Sequence, residues 1–492
     1  MQVLCNYTVT ILYFALIFLL FIGSIRGLYF IYLYTKLYKK KRKRFKTWPA
    51  ELSLPKVTVQ LPVFNEKYVV ERLIESACNL DYPKDRLEIQ VLDDSTDSTR
   101  VLAEQAVKKY HSLGFNIAYI HRRDRIGFKA GALAFGMRQA QGEFFLIFDA
   151  DFLPPADLLK KMIPEFLDSR VGMVQSRWAH LNRNYSILTR IQSMLLDGHF
   201  MVEHTVRYLS GRFFNFNGTA GIWRRQTIED AGGWQSDTLT EDIDLSYRAQ
   251  LKGWKFVFLP RVICPAELPV EMNAFKSQQH RWGRGAIQTG KKLFAKIWKS
   301  TLPLTTKIEA LYHLFGNLAF IVMLLLALLI LPSLLARTEL GWNKSYLIEL
   351  PLILVTFFMV VFFYAFSQKE ADAKAGGGWL DKFTYAPALA AISMGMSLNN
   401  AVAIFGAFGN KLSTFKRTAK YDIRERRGDW VKKEYRKKFN WSFIPELLFV
   451  PYLLFTLMFA VHLQMWGAIP LILLFLAGYL YVGSVSLIQS LR

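Results

Sequence analysis

Glu143-Phe144-Phe145-Leu146-Ile147-Phe148-Asp149-Ala150-Asp151 (EFFLIFDAD) is the stretch on which the fold turns. Phe144 to Phe148 are too few apolar residues for a helix and rich in strand formers, which predicts a strand buried on both faces of a parallel sheet. Two carboxylates follow. Asp149 and Asp151 are two residues apart, so in extended backbone they point the same way, at the carboxyl end of the strand, where open α/β sheets bind ligands. Hard oxygen donors placed there suit Mg²⁺ or Mn²⁺ carrying a diphosphate. A strand that merely runs into a polar loop would give the same letters, and the neighbouring segments distinguish the two.

Working outward, KVTVQLPVF (56–64) reads as a strand, VVERLIESACNL (69–80) as a helix and LEIQVLDDS (87–95) as a second strand. A helix after Ser95 and a further strand at NIAYIHR (116–122) follow, an alternation that implies a parallel sheet. Asp93 and Asp94 close the second strand as Asp149 and Asp151 close the later one. Two acidic pairs therefore converge on one sheet edge, although Ser95 and Thr96 also suit a turn or helix cap.

The chain of 492 residues is too long for one ordinary core, and 52% hydrophobic residues point to a membrane protein. Its net charge of +23 calls for a partner. Nucleic acid is a candidate, but the Lys and Arg residues gather beside apolar spans, where orientation bias and anionic headgroups account for them. Cys5, Cys78 and Cys264 form no metal-ligand cluster or disulfide framework. Val9 to Tyr34, apolar apart from Arg26, is long enough to span a bilayer and to be retained. Eight of the eleven residues from Lys36 to Lys46 are Lys or Arg, whereas Met1 to Thr8 has none, so the basic run is expected in the cytosol.

QLPVFNE (60–66), DDSTDST (93–99), HRRDRIGFKAGAL (121–133), FDAD (148–151), FNGTAG (216–221), TEDIDLSYRAQLKGW (240–254) and QQHRW (278–282) stand in the order of the processive family 2 glycosyltransferases. Over residues 55 to 290 the chain resembles that family, which includes cellulose synthases. The QQHRW and KAGAL forms are closer to mannan and glucan synthase-like proteins. The resemblance implies an α/β GT-A nucleotide-sugar domain, mainly parallel, inserted between transmembrane helices and facing the cytosol. It also implies an integral protein of a plasma, inner or Golgi membrane that conducts the growing chain outward. A UDP- or GDP-sugar would be the donor and a polysaccharide the acceptor, with an accessory export protein as a possible partner and no nucleic acid beyond the nucleotide-sugar.

The same resemblance gives roles to residues. Asp149 and Asp151 would hold the metal. Glu66 and Asp94 would lie by the nucleotide base and ribose, with Phe64 near the base and Lys129 at the diphosphate. Glu241 and Asp242 of the TED motif would be catalytic, Asp242 as general base, although acids at a helix start are also what the helix dipole favours. Asn217 and Thr219 would meet acceptor hydroxyls. Gln278, Gln279, Arg281 and Trp282 would bind substrate, Arg281 as a forked cation and Trp282 as a stacking face. An amphipathic interface helix is expected near Gly290 to Ser300, after QQHRW. FKRTAK (415–420) resembles the family's FxVTxK gating loop in Phe415, Thr418 and Lys420, but Arg417 replaces the valine.

Beyond the catalytic region, 308–335, 346–366, 443–463 and 466–488 read as spans. Phe383 to Phe408 is apolar but carries Asn399 and Asn400. If it crossed, the segment Gly409 to Lys438, with twelve Lys or Arg against four acids, would face outward. It is therefore read as an interfacial or re-entrant helix, with six spans as the alternative. The organisation expected is an N-terminal span (1–35), a basic cytosolic linker (36–54), the catalytic domain with its interface helix (55–300) and a channel region (301–492). The last includes the interfacial helix (383–408) and the gating-loop-like segment (411–438). Two other functions use the same features: transfer of a single sugar to a lipid, or a transporter or basic scaffold without catalysis.

Overall fold

The computed structural model describes residues 1–41, 46–371, 383–409, 417–426, 428–436 and 441–491. Seven strands form one sheet: β1 Val57–Val63, β2 Leu87–Asp93, β3 Ile117–His121, β4 Phe144–Ile147, β5 Val171–His180, β6 Gly221–Arg224 and β7 Lys255–Ala266. Their order is β3-β2-β1-β4-β6-β5-β7. β1 to β4 are mutually parallel, as are β5 and β7, and β6 alone of the described strands runs antiparallel to its neighbours. The sheet is mainly parallel, as expected.

β4 lies between β1 and β6, and its side chains alternate between two cores. Phe144, Leu146 and Phe148 join one cluster with Leu73 and Ile74 of the helix Val70–Cys78. Phe145 and Ile147 join another with Leu133 and with Leu245 of the helix Glu241–Leu251. Each buried side chain of this size stabilises the fold by about 1.5–3 kcal/mol relative to exposure. The continuous apolar run follows from burial on both faces. Because β1, β2 and β4 are in parallel register, their carboxyl ends deliver Glu66, Asp94 and Asp149 to one edge.

Among the described residues five helices are long and apolar enough to cross a membrane: Gln2–Tyr38, Leu304–Glu339, Tyr346–Ala371, Trp441–His462 and Ile469–Leu491. Two expectations need correction. The first helix continues to Lys41, so the basic run begins as helix rather than linker. Lys and Arg are good helix formers, and their charge suits a helix C-terminus. QQHRW does not precede a separate interface helix. It lies inside one 28-residue helix, Met272–Lys299, which contains no proline and whose Gly285 and Gly290 pack closely against Thr240 and Phe315.

Contacts with the sheet domain place the ends of these helices. Gln368, near the end of the third, donates to Asp197 Oδ2 at 2.9 Å. Lys276 pairs with Glu446 at the start of the fourth (2.5 Å), and the Met272 amide donates to Gln489 at the end of the fifth (2.7 Å). At the far end Asn6 donates to Glu339 (2.6 Å), and Arg337 pairs with Glu349 (2.7 Å). The helices Ala386–Gly395 and Ser397–Phe408 meet at 46°. Gln368 precedes this pair, and a strap of described residues, 417–426 and 428–436, follows it; its Tyr421 amide donates to Glu267 (2.8 Å). Both flanks touch the sheet domain, so the pair begins and ends on the same side of the bundle. Asn399 donates to the Lys276 carbonyl (3.0 Å).

Five crossings are therefore expected. In a Cys5→Ser background, which removes the exposed native thiol, a membrane-impermeant thiol reagent applied to intact cells should label Lys344→Cys and spare Arg426→Cys. Labelling of both positions would indicate six.

Candidate active site

The sheet edge opens into a cavity of about 190 Å³ lined by Phe64, Glu66, Asp94, Lys129, Asp149, Asp151, Asn217, Glu241, Asp242, Gln278, Arg281 and Trp282, together with Arg417, Thr418 and Lys420 from the strap. Phe415 lies outside the described residues. Gln279 lines a second cavity, of about 500 Å³, which shares Trp178, Asn217, Thr240, Asp242, Gln278 and Trp282 with the first. That cavity continues past Arg26 and Tyr312 to Met323, Tyr364 and Asn400 among the apolar helices.

Two sequence-derived roles change. Of the pair closing β2, only Asp94 faces the cavity. Asp93 is fully buried and accepts from the Ser95 amide (2.9 Å) and the Tyr119 hydroxyl (2.7 Å). Adjacent residues in a strand point to opposite faces, whereas Asp149 and Asp151 are two apart and both reach the cavity. Thr219, expected to meet the acceptor, is buried, and its hydroxyl accepts from the Asp149 amide at 2.9 Å. It shapes the loop under Asp149. Asn217 does face the cavities, and its side-chain nitrogen lies 3.1 Å from His199 Nε2.

The three cavity-facing aspartates Asp94, Asp149 and Asp151 each have a cation. Arg122 binds Asp94 with both arms of its fork (2.8 and 2.5 Å). Lys129 pairs with Asp149 and donates to the Gly218 carbonyl (2.8 Å). Lys420 donates to Asp151 Oδ2 at 2.6 Å. Burial opposes the charge on Lys129, yet Asp149, Glu241 and Asp242 together raise its pKa. Burial pushes Glu66 up to about 8, against the pull of Arg417 and Lys420. Among the described residues no third His, Cys, Asp or Glu joins Asp149 and Asp151 as a ligand. Two carboxylates with room for phosphate oxygens are the usual protein share of a Mg²⁺ or Mn²⁺ site, so these residues fit such a cation.

Glu241 and Asp242 open the helix Glu241–Leu251, and Thr240 before them makes no side-chain cap. Its methyl and hydroxyl pack under the helix Met272–Lys299, where a Cβ on Gly285 would come within 2.4 Å of Thr240 Cγ2. A glycine there lets the QQHRW helix lie directly on the TED turn. Asp244 is structural: fully buried, it holds Arg248 (2.8 Å) and Lys292 (2.9 Å). Asp242 uses Oδ1 to accept from the Ile243 amide (2.9 Å). Its Oδ2 faces Gly218, which has φ +82° and whose added Cβ would stand 3.0 Å from that oxygen. Burial, then the charge of Glu241, pushes Asp242 up to about 7. A buried carboxylate of that pKa is a base for neutral solution.

Arg122, Arg125, Trp178 and His180 also belong to this site. The arginines stand within the quoted HRRDRIGFKAGAL segment. Trp178 and His180, at the end of β5, are reached by no local motif.

The sequence profile of the Glycosyltransferase like family 2 matches residues 55–285. The chain is similar to glucomannan 4-beta-mannosyltransferase 2 of Arabidopsis thaliana, 42% identical over 291 residues that cover 56% of this chain and 54% of the relative. It is similar also to probable glucomannan 4-beta-mannosyltransferase 6 of Oryza sativa subsp. japonica, 46% identical over 250 residues that cover 50% and 44%. The chain thus spans about half the length of the curated relatives it matches. Among solved structures it resembles a mannosyltransferase of Pyrobaculum calidifontis in complex with GDP-Man and Mn²⁺, with a TM-score of 0.46 and 19% identity, covering 82% of this chain and 99% of that one. The match to the family profile, with the ordered motifs and the mainly parallel sheet, places residues 55–285 in glycosyltransferase family 2.

Proposed function

We propose that the protein is a membrane-embedded, inverting glycosyltransferase that extends a β-1,4-linked mannan or glucan from a nucleotide-sugar and passes it outward between its apolar helices. The observation that carries this reading is the meeting of the two cavities at Asp242 and Trp282. One cavity ends at paired carboxylates and ammoniums suited to a diphosphate. The other leads away among the apolar helices. Relatives named as 4-beta-mannosyltransferases support the product class. The sheet domain would face the cytosol of a Golgi, plasma or inner membrane. Transfer to a lipid would not require the longer second cavity.

The residues divide the work. Lys129 and Lys420 neutralise charge at the β4 end, where the diphosphate would leave. A divalent cation held by Asp149 and Asp151 would screen that diphosphate and make it a better leaving group. Asp242 Oδ2, the oxygen not occupied by the Ile243 amide, takes the proton from the attacking acceptor hydroxyl. Trp282 offers a flat face to the terminal sugar, and Gln278 and Asn217 line the junction, where they would meet sugar hydroxyls. One carboxylate suffices because a single direct displacement inverts the anomeric centre. Holding hydroxyl, base and donor in line supplies much of the rate.

Purified protein in lipid, offered labelled UDP- and GDP-sugars with Mg²⁺ or Mn²⁺, should yield a polymer degraded by β-1,4-specific hydrolases. Products confined to glycolipid would refute polymerisation. The base must be deprotonated to act, and its pKa is about 7, so turnover should climb as pH rises through that value. A parent rate that is flat between about pH 6 and pH 8 would remove Asp242 from this role. Asp242→Asn should cut turnover by about 10²- to 10⁴-fold with little change in donor affinity. Asp151→Asn should lose the part of nucleotide binding that a chelator removes from the parent. Equal chelator sensitivity in both proteins would exclude Asp151 as a ligand.

A further inference from the structure

The donor cavity is chemically polarised. At the β4 end the cations Lys129 and Lys420 face Asp149 and Asp151. At the β1–β2 end the Arg125 guanidinium lies 3.4 Å over the Phe64 ring, a flat apolar wall, and Asp94 is closed off by Arg122. Between these two stands Arg417, at the position where the gating-loop pattern has valine. Its Nη1 is 3.2 Å from Glu66 Oε2, close enough to attract. The pair is not aligned as a hydrogen bond, and both atoms are buried without one. Both residues border the cavity, and Glu66 is only 8% exposed. Buried polar atoms left open in this way call for a partner.

Arg417 is held from behind. Its guanidinium stacks 4.0 Å from the Tyr435 ring. The Tyr435 hydroxyl engages Asp97, lies 3.3 Å from Thr99 Oγ1 and accepts from the Lys67 amide at 3.2 Å. These contacts fix the strap to the loop that follows Asp94. A forked donor beside a carboxyl acceptor matches a base with paired acceptors on one edge and adjacent N–H donors on the next. Guanine has both: N7 and O6 suit an arginine fork, while N1–H and the N2 amino group suit a carboxyl oxygen. Uracil offers one N–H between two carbonyls, so a carboxylate facing it also meets carbonyl oxygen.

We propose that Arg417, with Glu66, is a specificity-determining residue that reads the nucleobase of the donor and selects guanine over uracil. This rests on the nucleotide-sugar reading of the same cavity. The test is calorimetric titration of the full chain in lipid nanodiscs with GDP and with UDP, in the presence of Mn²⁺. The parent should favour GDP by about tenfold or more, and Arg417→Val should lose that factor while UDP affinity stays within about twofold. Arg417→Lys, which keeps the charge but not the fork, should also lose the preference and serves if the valine variant does not fold. Equal weakening of GDP and UDP would make Arg417 a phosphate contact and overturn the proposal. An unchanged ratio in the variants, or a parent that favours UDP, would overturn it too. A parent that transfers sugar without preferring either base would sink this inference alone, whereas one that binds neither nucleotide would sink the proposed function with it.

Discussion

A carboxylate buried at the carboxyl edge of a sheet loses several kcal/mol of hydration, and a well-placed cation or hydrogen-bond donors must offset that loss. Much of the chain outside the sheet is arranged around this constraint. Asp94 has Arg122, Asp149 has Lys129, Asp151 has Lys420 and Glu66 has Arg417. Two of the four cations come from a strap that follows more than four hundred residues of chain, so the site is incomplete until the C-terminal region has folded back onto the sheet domain. Burial raises the pKa of both Glu241 and Asp242, Lys129 pulls against it at each, and the charge of Glu241 raises Asp242 further.

The same rule governs the junction between sheet domain and apolar helices. Arg26, the one charge in the first apolar stretch, reaches Glu203 (2.9 Å) and Glu309 (2.6 Å), and Arg207 binds Glu309 from the other side (3.0 Å). Breaking such a pair by removing one partner typically costs about 3–5 kcal/mol, because the remaining charge stays buried. These pairs, with Lys276–Glu446, dock the helices against the wall of the larger cavity. The opening between donor site and helices therefore has walls from both parts, and neither part alone would form it.

The amino-acid sequence by itself determined whatever depends on local periodicity and charge runs. The apolar run 144–148 specified a strand buried on both faces, the long apolar stretches specified the helices, and the ordered motifs specified the family of the domain and most of the cavity lining. Tertiary structure decided what depends on direction and on distant partners. Asp93 and Asp94 are adjacent letters, yet strand alternation sends one into the core and the other into the cavity. Thr219 lies within a motif, yet its hydroxyl is spent on the Asp149 amide. QQHRW sits inside a continuous helix because Gly285 allows that helix to rest on Thr240, a contact across 45 residues that no window of sequence contains. The pairing of Lys420 with Asp151 spans 269 residues. A side chain's type is written locally, but its partner is set by the packing of the whole chain, and the chemistry of this site lies in the partners.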